Sequence, residues 1–259
     1  MPRKPRIHFP GAFSHVIARG NRREKIFRSN KDYQLSLTFL SEYKARYGFS
    51  LYAYALLPTH INLLLKVGEL PLSRIMQTLQ FRYTRNFNIN YKNYGHLFQG
   101  RYKAIVCEKD TYCLELSASI HLNPVRAGLV NDPIKYPWCS YQAYLREEKD
   151  NLVEKDFILA QFSHKKSVAL KEYERFVKGH SGQGHREDFY KVKDQRFLGE
   201  DTFVAHVHRR VNENPTFVYT LSLGEIVSEV SSSLHIAPDL FYTPTRNSQG
   251  ALGRSLVGY

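Results

Sequence analysis

The stretch FSLYAYALLPTHINLLLKV, residues 49–67, decides the fold. It holds two apolar runs of strand length, Phe49 to Leu57 and His60 to Val67, parted only by Pro58-Thr59. So short a break turns the chain back on itself, and the spacing predicts an antiparallel hairpin. Strand side chains alternate, so His60 and Asn62 fall on one face and Ile61, Leu63 and Leu65 on the other.

On the N-terminal side of the hairpin, Phe13 to Arg19 reads as a strand that ends at Gly20-Asn21 and a basic loop. Lys31 to Arg46 follows with helical periodicity, carried by Tyr33, Leu37, Leu40 and Tyr43, and Tyr47-Gly48 stops it. On the C-terminal side, Pro71 to Phe87 is amphipathic, with Leu72, Ile75, Met76, Leu79, Tyr83 and Phe87 on one stripe. After a polar turn, Tyr102 to Glu108 reads as the fourth strand. Asp110 is placed to cap a helix running to about Leu122, before Asn123-Pro124. The order β-α-β-β-α-β-α predicts an α+β, ferredoxin-like antiparallel sheet with helices on one face, over residues 1–145. Residues 146–190 are charged, show no clear periodicity and read as a linker. Residues 191–259 read as a small, mostly helical C-terminal region, with helical stretches at Thr202 to Val211, Ser222 to Leu234 and from Pro238.

The charge is uneven. Of a net +13, residues 1–150 carry 23 Lys and Arg against 11 Asp and Glu, while the rest carry 14 against 13. A basic half joined to a neutral half points to a polyanion, a nucleic acid, on the first half. Solubilising surface charge is the plainer alternative. No apolar run approaches the roughly 20 residues of a membrane helix. The N-terminus is charged with no apolar signal core after it, so a cytoplasmic protein is expected. Cys107, Cys113 and Cys139 have no metal-site spacing and read as free thiols.

Three constellations carry chemistry. His60-Ile61-Asn62 sets two polar side chains on one sheet face, which suits either a solvated face or a hard divalent ion. Gly95 to Ala104 sets glycines around aromatic and basic residues. Arg101 and Lys103 suit phosphates, with Gln99 beside them, while Phe98 and Tyr102 suit either base stacking or the core. The helix exit from Ser117 to Val130 puts Ser119 and Asn123 four apart on one face, or is simply a helix stop.

Leu57 to Leu65, His96 to Ala104 and Ile120 to Val130, with Met1 to Arg6, Ile17-Ala18-Arg19-Gly20-Asn21 and Pro137-Trp138-Cys139-Ser140-Tyr141, resemble the REP-associated tyrosine transposases over roughly residues 1–145. The resemblance implies an enzyme that nicks and joins single-stranded or hairpin repeat DNA. A divalent metal would polarise the scissile phosphate, and a helix tyrosine would attack it. It implies His60, Asn62 and Asn123 as the metal positions and Ser119 as the nucleophile position. Asn62 stands where the family has a second histidine, and Ser119 where it has the tyrosine. Mg²⁺ or Mn²⁺ is therefore expected to be held weakly. Tyr112, two helical turns before Ser119, is the substitute nucleophile to weigh. Arg19, Arg22, Arg23, Phe98, Gln99, Arg101, Tyr102, Lys103 and Arg126 are the expected DNA contacts. The C-terminal region resembles the start of a helix-turn-helix extension, cut short. Two functions follow: DNA cleavage and strand transfer in transposition, or an impaired relative that binds DNA as a module or regulator. Either would act as a monomer or a homodimer.

Overall fold

The computed structural model describes residues 7–146, 150–182, 192–194 and 196–213, with residues 224, 227, 228, 231, 232 and 237. Its elements are β1 (Phe13–Arg19), α1 (Asn30–Tyr47), β2 (Ser50–Leu57), β3 (His60–Lys66), α2 (Leu72–Tyr91), β4 (Lys103–Cys107), α3 (Lys109–His121), α4 (Asn123–Arg126), α5 (Tyr141–Tyr144), α6 (Asp156–Leu159), α7 (Lys166–Gly179), β5 (Phe197–Leu198) and α8 (Asp201–Glu213). The strands lie in the order β2-β3-β1-β4-β5. All neighbours are antiparallel except β4 and β5, which run parallel. The first four strands have the ferredoxin-like arrangement expected from the sequence, and β5 extends it by one edge.

The hairpin forms as its spacing predicts, with Leu57 opposite His60 across the Pro58-Thr59 turn. A register shift between Leu51 and Ala53 marks a bulge at Tyr52. Helix α1 begins with a capping box in which Asp32 accepts from the Ser29 backbone N–H at 2.9 Å. It ends where Gly48 takes φ 63°, a left-handed conformation that a side chain would strain. At the start of α3 the N-cap position is Glu108, not the expected Asp110.

Helices cover both faces of the sheet, where the sequence reading put them on one. On one side α1 and α2 pack Tyr33, Phe39, Leu40, Ile75, Met76 and Leu79 against Val16, Leu63 and Leu65. On the other, α3 and α7 pack Cys113, Leu116, Ile120, Leu170, Tyr173 and Val177 against Tyr52, Ala55, Leu57 and Leu64. The reason lies in β2 and β3. Nearly every residue of these strands is buried, so neither face meets water.

The second correction concerns the supposed linker. Residues 156–159 and 166–179 are helical, and Ala169, Leu170, Tyr173 and Val177 form the buried stripe of α7. The described part of residues 146–190 therefore contributes to the core. Helix α8 falls where Thr202 to Val211 predicts one. Most of Ser222 to Leu234, and everything from Pro238 on, lies outside the described residues. No described helix is long and apolar enough to cross a membrane. The three cysteines are free and buried, and burial pushes each thiol up to about 12, so they are inert packing groups.

Candidate nucleic-acid interface

Register places the chemistry. On the α3 side of the sheet, Arg19 of β1 lies directly opposite His60 of β3, and Ile17 lies opposite Asn62. On its other edge Ile17 faces Lys103 of β4, and His15 faces Ile105. Directly paired residues share a face, so Arg19, His60, Asn62, Lys103 and His15 make one polar patch on an otherwise apolar surface.

The chain beyond this patch is tied to it by backbone hydrogen bonds. The Gly20 N–H donates to the Thr59 carbonyl at 2.8 Å, the Gln99 N–H to the Arg19 carbonyl at 2.9 Å, and the Asn21 N–H to the Leu97 carbonyl at 2.8 Å. Exposed Arg22 and Arg23 follow in a tight turn with φ of 50° and 61°, left-handed values that non-glycine residues hold only under constraint. Gly20 supplies the constraint. A Cβ there would stand 2.4 Å from the Glu24 carbonyl oxygen and 2.9 Å from Ile26 Cγ2. Gly20→Ala is expected to cost about 1–3 kcal/mol by overpacking. It would also displace the arginine turn. A thermal melt and DNA binding equal to the parent would contradict this account of the loop.

The electrostatics of the patch are cationic. Burial first, then the Arg19 charge, lowers the pKa of His60 to about 4. Burial also lowers His15 to about 4, against an opposing hydrogen bond to Asn62 and with help from Lys103. Lys103 is itself lowered, by desolvation and then by Arg19.

The sequence-derived metal positions do not assemble as ligands. The Asn62 carboxamide oxygen lies 3.4 Å from His15 Nε2. The Asn123 oxygen accepts from the Arg126 guanidinium at 3.2 Å. His60 Nδ1 lies 3.0 Å from the Thr59 hydroxyl. That leaves one imidazole, two amide oxygens already engaged by nitrogen, and a guanidinium directly across from the imidazole. Hard divalent ions need oxygen donors with negative charge or space for water, and they are repelled by adjacent cations. These residues do not fit such an ion. Among the described residues no three His, Cys, Asp or Glu side chains gather anywhere.

Ser119, on α3, is held by Arg126, whose guanidinium donates to its Oγ at 2.9 Å and also to its carbonyl oxygen. An oxygen that accepts from a cation is a poorer nucleophile, and its partner here is a cation where activation would need a base. Tyr112 is half-buried at the start of α3 and packs against the core. Seven helical residues place it roughly 10 Å from Ser119. It acts as a packing residue. Arg126 thus turns inward as the clamp of Ser119 and Asn123, where the sequence suggested a DNA contact.

Phe98 and Tyr102 are also corrected. Both rings are buried, and Phe98 lies 6.3 Å from Tyr83 inside the α1–α2 layer, so neither offers a stacking face. Arg19, Arg22, Arg23, Gln99, Arg101 and Lys103 are exposed, as a phosphate-binding surface needs. Sequence reasoning missed His15. Its signal was position: it is four residues before Arg19, hence on the same strand face.

Residues 11–119, from the start of β1 into α3, match the family described as transposase, IS200-like. Among solved structures, the chain resembles a REP-associated tyrosine transposase bound to a REP hairpin, with a TM-score of 0.49 and 18% identity. That match covers 60% of this chain and 93% of the other. A second likeness is to a transposase from Deinococcus radiodurans R1, with a TM-score of 0.34, 16% identity, and 44% and 93% of the two chains covered. No curated protein matches by sequence.

Proposed function

Taking residues 11–119 as a domain of the IS200-like transposase family, we propose that it holds single-stranded or hairpin DNA without cutting it. The carrying observation is the polar end of the sheet. There Arg19, Arg22, Arg23, Arg101 and Lys103 lie on or near the strands joined by the Gly20–Phe98 bridge, while the nucleophile position on α3 is filled by a clamped serine. Cations in that arrangement meet phosphates spaced along a strand. The tight turn holding Arg22 and Arg23 presents two of them in a fixed direction, which favours a structured target over a flexible one.

The chemistry on this side of the reaction is reduced to binding. The patch offers donors to phosphate oxygens. The Oγ of Ser119 accepts from Arg126, a cation where activation would need a base, so the attacking oxygen is held unprepared. The role that fits is a member of a transposition system that recognises its DNA and leaves strand cleavage to another copy.

The test is salt dependence. Binding of an end-labelled DNA hairpin with a single-stranded flank should weaken steeply with salt. Arg22→Ala with Arg23→Ala should lower the slope of log K against log salt by about one for each phosphate no longer neutralised. A double variant that binds with the parent's slope and affinity would remove the turn from the interface.

A further inference from the structure

We infer that the corner formed by Arg19, His60 and Lys103 is a phosphate site in its own right, binding a DNA phosphate directly with no divalent ion between protein and phosphate. The inference rests on the DNA-binding reading above and deepens it, by naming what replaces metal at this position.

Three observations lead there. The first is register: Arg19 is directly opposite His60, and Lys103 flanks Ile17 one pair further on. The three side chains therefore rise from adjacent strands on one face. A dication placed between them would sit against a guanidinium and an ammonium, whereas a phosphate there would meet hydrogen-bond donors from both.

The second is the donor set. The oxygens of Asn62 and Asn123 already accept from His15 and Arg126. Both oxygens belong to neutral amides, which are weak ligands for a hard dication even when nothing else engages them.

The third is His60 itself. The Thr59 hydroxyl can donate to Nδ1 across their 3.0 Å contact. In that tautomer the proton of the neutral ring sits on Nε2, where it can be donated to an anion. A neutral donor flanked by two cations suits a phosphate oxygen between them.

The experiment uses the full chain and two probes. Mn²⁺ alone is titrated against the protein and followed by electron paramagnetic resonance. The hairpin is titrated by fluorescence anisotropy in EDTA and in Mn²⁺. The expected result is no stoichiometric Mn²⁺ site and hairpin affinities in the two media that agree within about two-fold. Arg19→Ala with Lys103→Ala should weaken hairpin binding by about 10-fold or more and flatten the salt slope. Both residues are exposed, so the variant should melt with the parent, and circular dichroism checks this. One Mn²⁺ bound per chain and abolished by His60→Ala, or hairpin binding that requires Mn²⁺, would overturn the inference and leave the DNA-binding reading standing. A folded double variant with parental affinity would also overturn it. No hairpin binding in either medium would remove the DNA-binding reading and this inference with it.

Discussion

Tyr173→Ala is expected to bring the domain close to unfolding under ordinary conditions. Tyr173 is fully buried on α7, and its ring stacks on Tyr144 at 4.7 Å. Its hydroxyl lies 2.7 Å from His121 Nδ1 and 3.0 Å from Ser117 Oγ. His121 Nε2 continues to Ser140 Oγ at 2.7 Å, and Ser140 donates to the Tyr54 carbonyl of β2 at 3.2 Å. This chain links α7, α3, the segment before α5 and the sheet. Removing a buried aromatic ring costs about 3–5 kcal/mol. Leaving His121 Nδ1 without its donor adds about 1–3 kcal/mol. Set against a typical domain stability of about 5–15 kcal/mol, that loss takes most of the margin. Tyr173→Phe keeps the ring and should lose only the hydroxyl's share. Urea unfolding followed by circular dichroism reads both. If Tyr173→Ala unfolds at the parent's midpoint, α7 is not part of the core, and residues 146–190 are the linker that the sequence suggested.

Acid is expected to destabilise the protein well before its carboxylates titrate. Burial lowers His121 to about 3 and His15 to about 4, from 6.5 in an unfolded chain. Between those values the unfolded chain takes up protons that the native rings refuse. Stability is therefore complete above pH 6.5 and falls as pH drops below it. Each of the two rings contributes about 1 kcal/mol per pH unit across that window. The hydrogen bonds explain why the neutral form is held. With Tyr173 donating to Nδ1 and Nε2–H donating to Ser140, His121 is satisfied without a charge. Urea midpoints measured from about pH 7.5 down to about pH 5 check the claim. A flat profile would mean that these imidazoles are solvated in the folded protein.

The parts of the fold set by local rules were legible in the sequence. Pro58-Thr59 between two apolar runs fixes the hairpin, and Gly48 after Tyr47 ends α1. The helices at Tyr33 to Tyr43 and Leu72 to Phe87 follow their stripes. What was missed is tertiary. Helix α7 has its stripe at Ala169, Leu170, Tyr173 and Val177, but Lys171, Glu172, Glu174, Arg175 and Lys178 between them read as a solvated segment. Its burial depends on Ser117 and His121, which lie 56 and 52 residues before Tyr173. Strand β5 is two residues long and exists only because β4 offers it an edge. At the site, the alternation of β3 was enough to pair His60 with Asn62. It could not show that Arg19 lands opposite His60, because register depends on the partner strand. Nor could it show Arg126 folding back over Ser119 and Asn123, since that contact crosses the bend from α3 into α4. Phe98 and Tyr102 misled for the same reason: whether an aromatic beside glycines faces a base or the core is decided by what packs on it.

The central claim is that the protein holds DNA and does not cut it. The most direct measurement incubates an end-labelled hairpin with the full chain in Mn²⁺ and divides the sample between a native and a denaturing gel. The account predicts a shifted band on the native gel, and on the denaturing gel neither a shortened strand nor a protein–DNA adduct. An adduct mapping to Ser119 or Tyr112, or a metal-dependent nick, would contradict it.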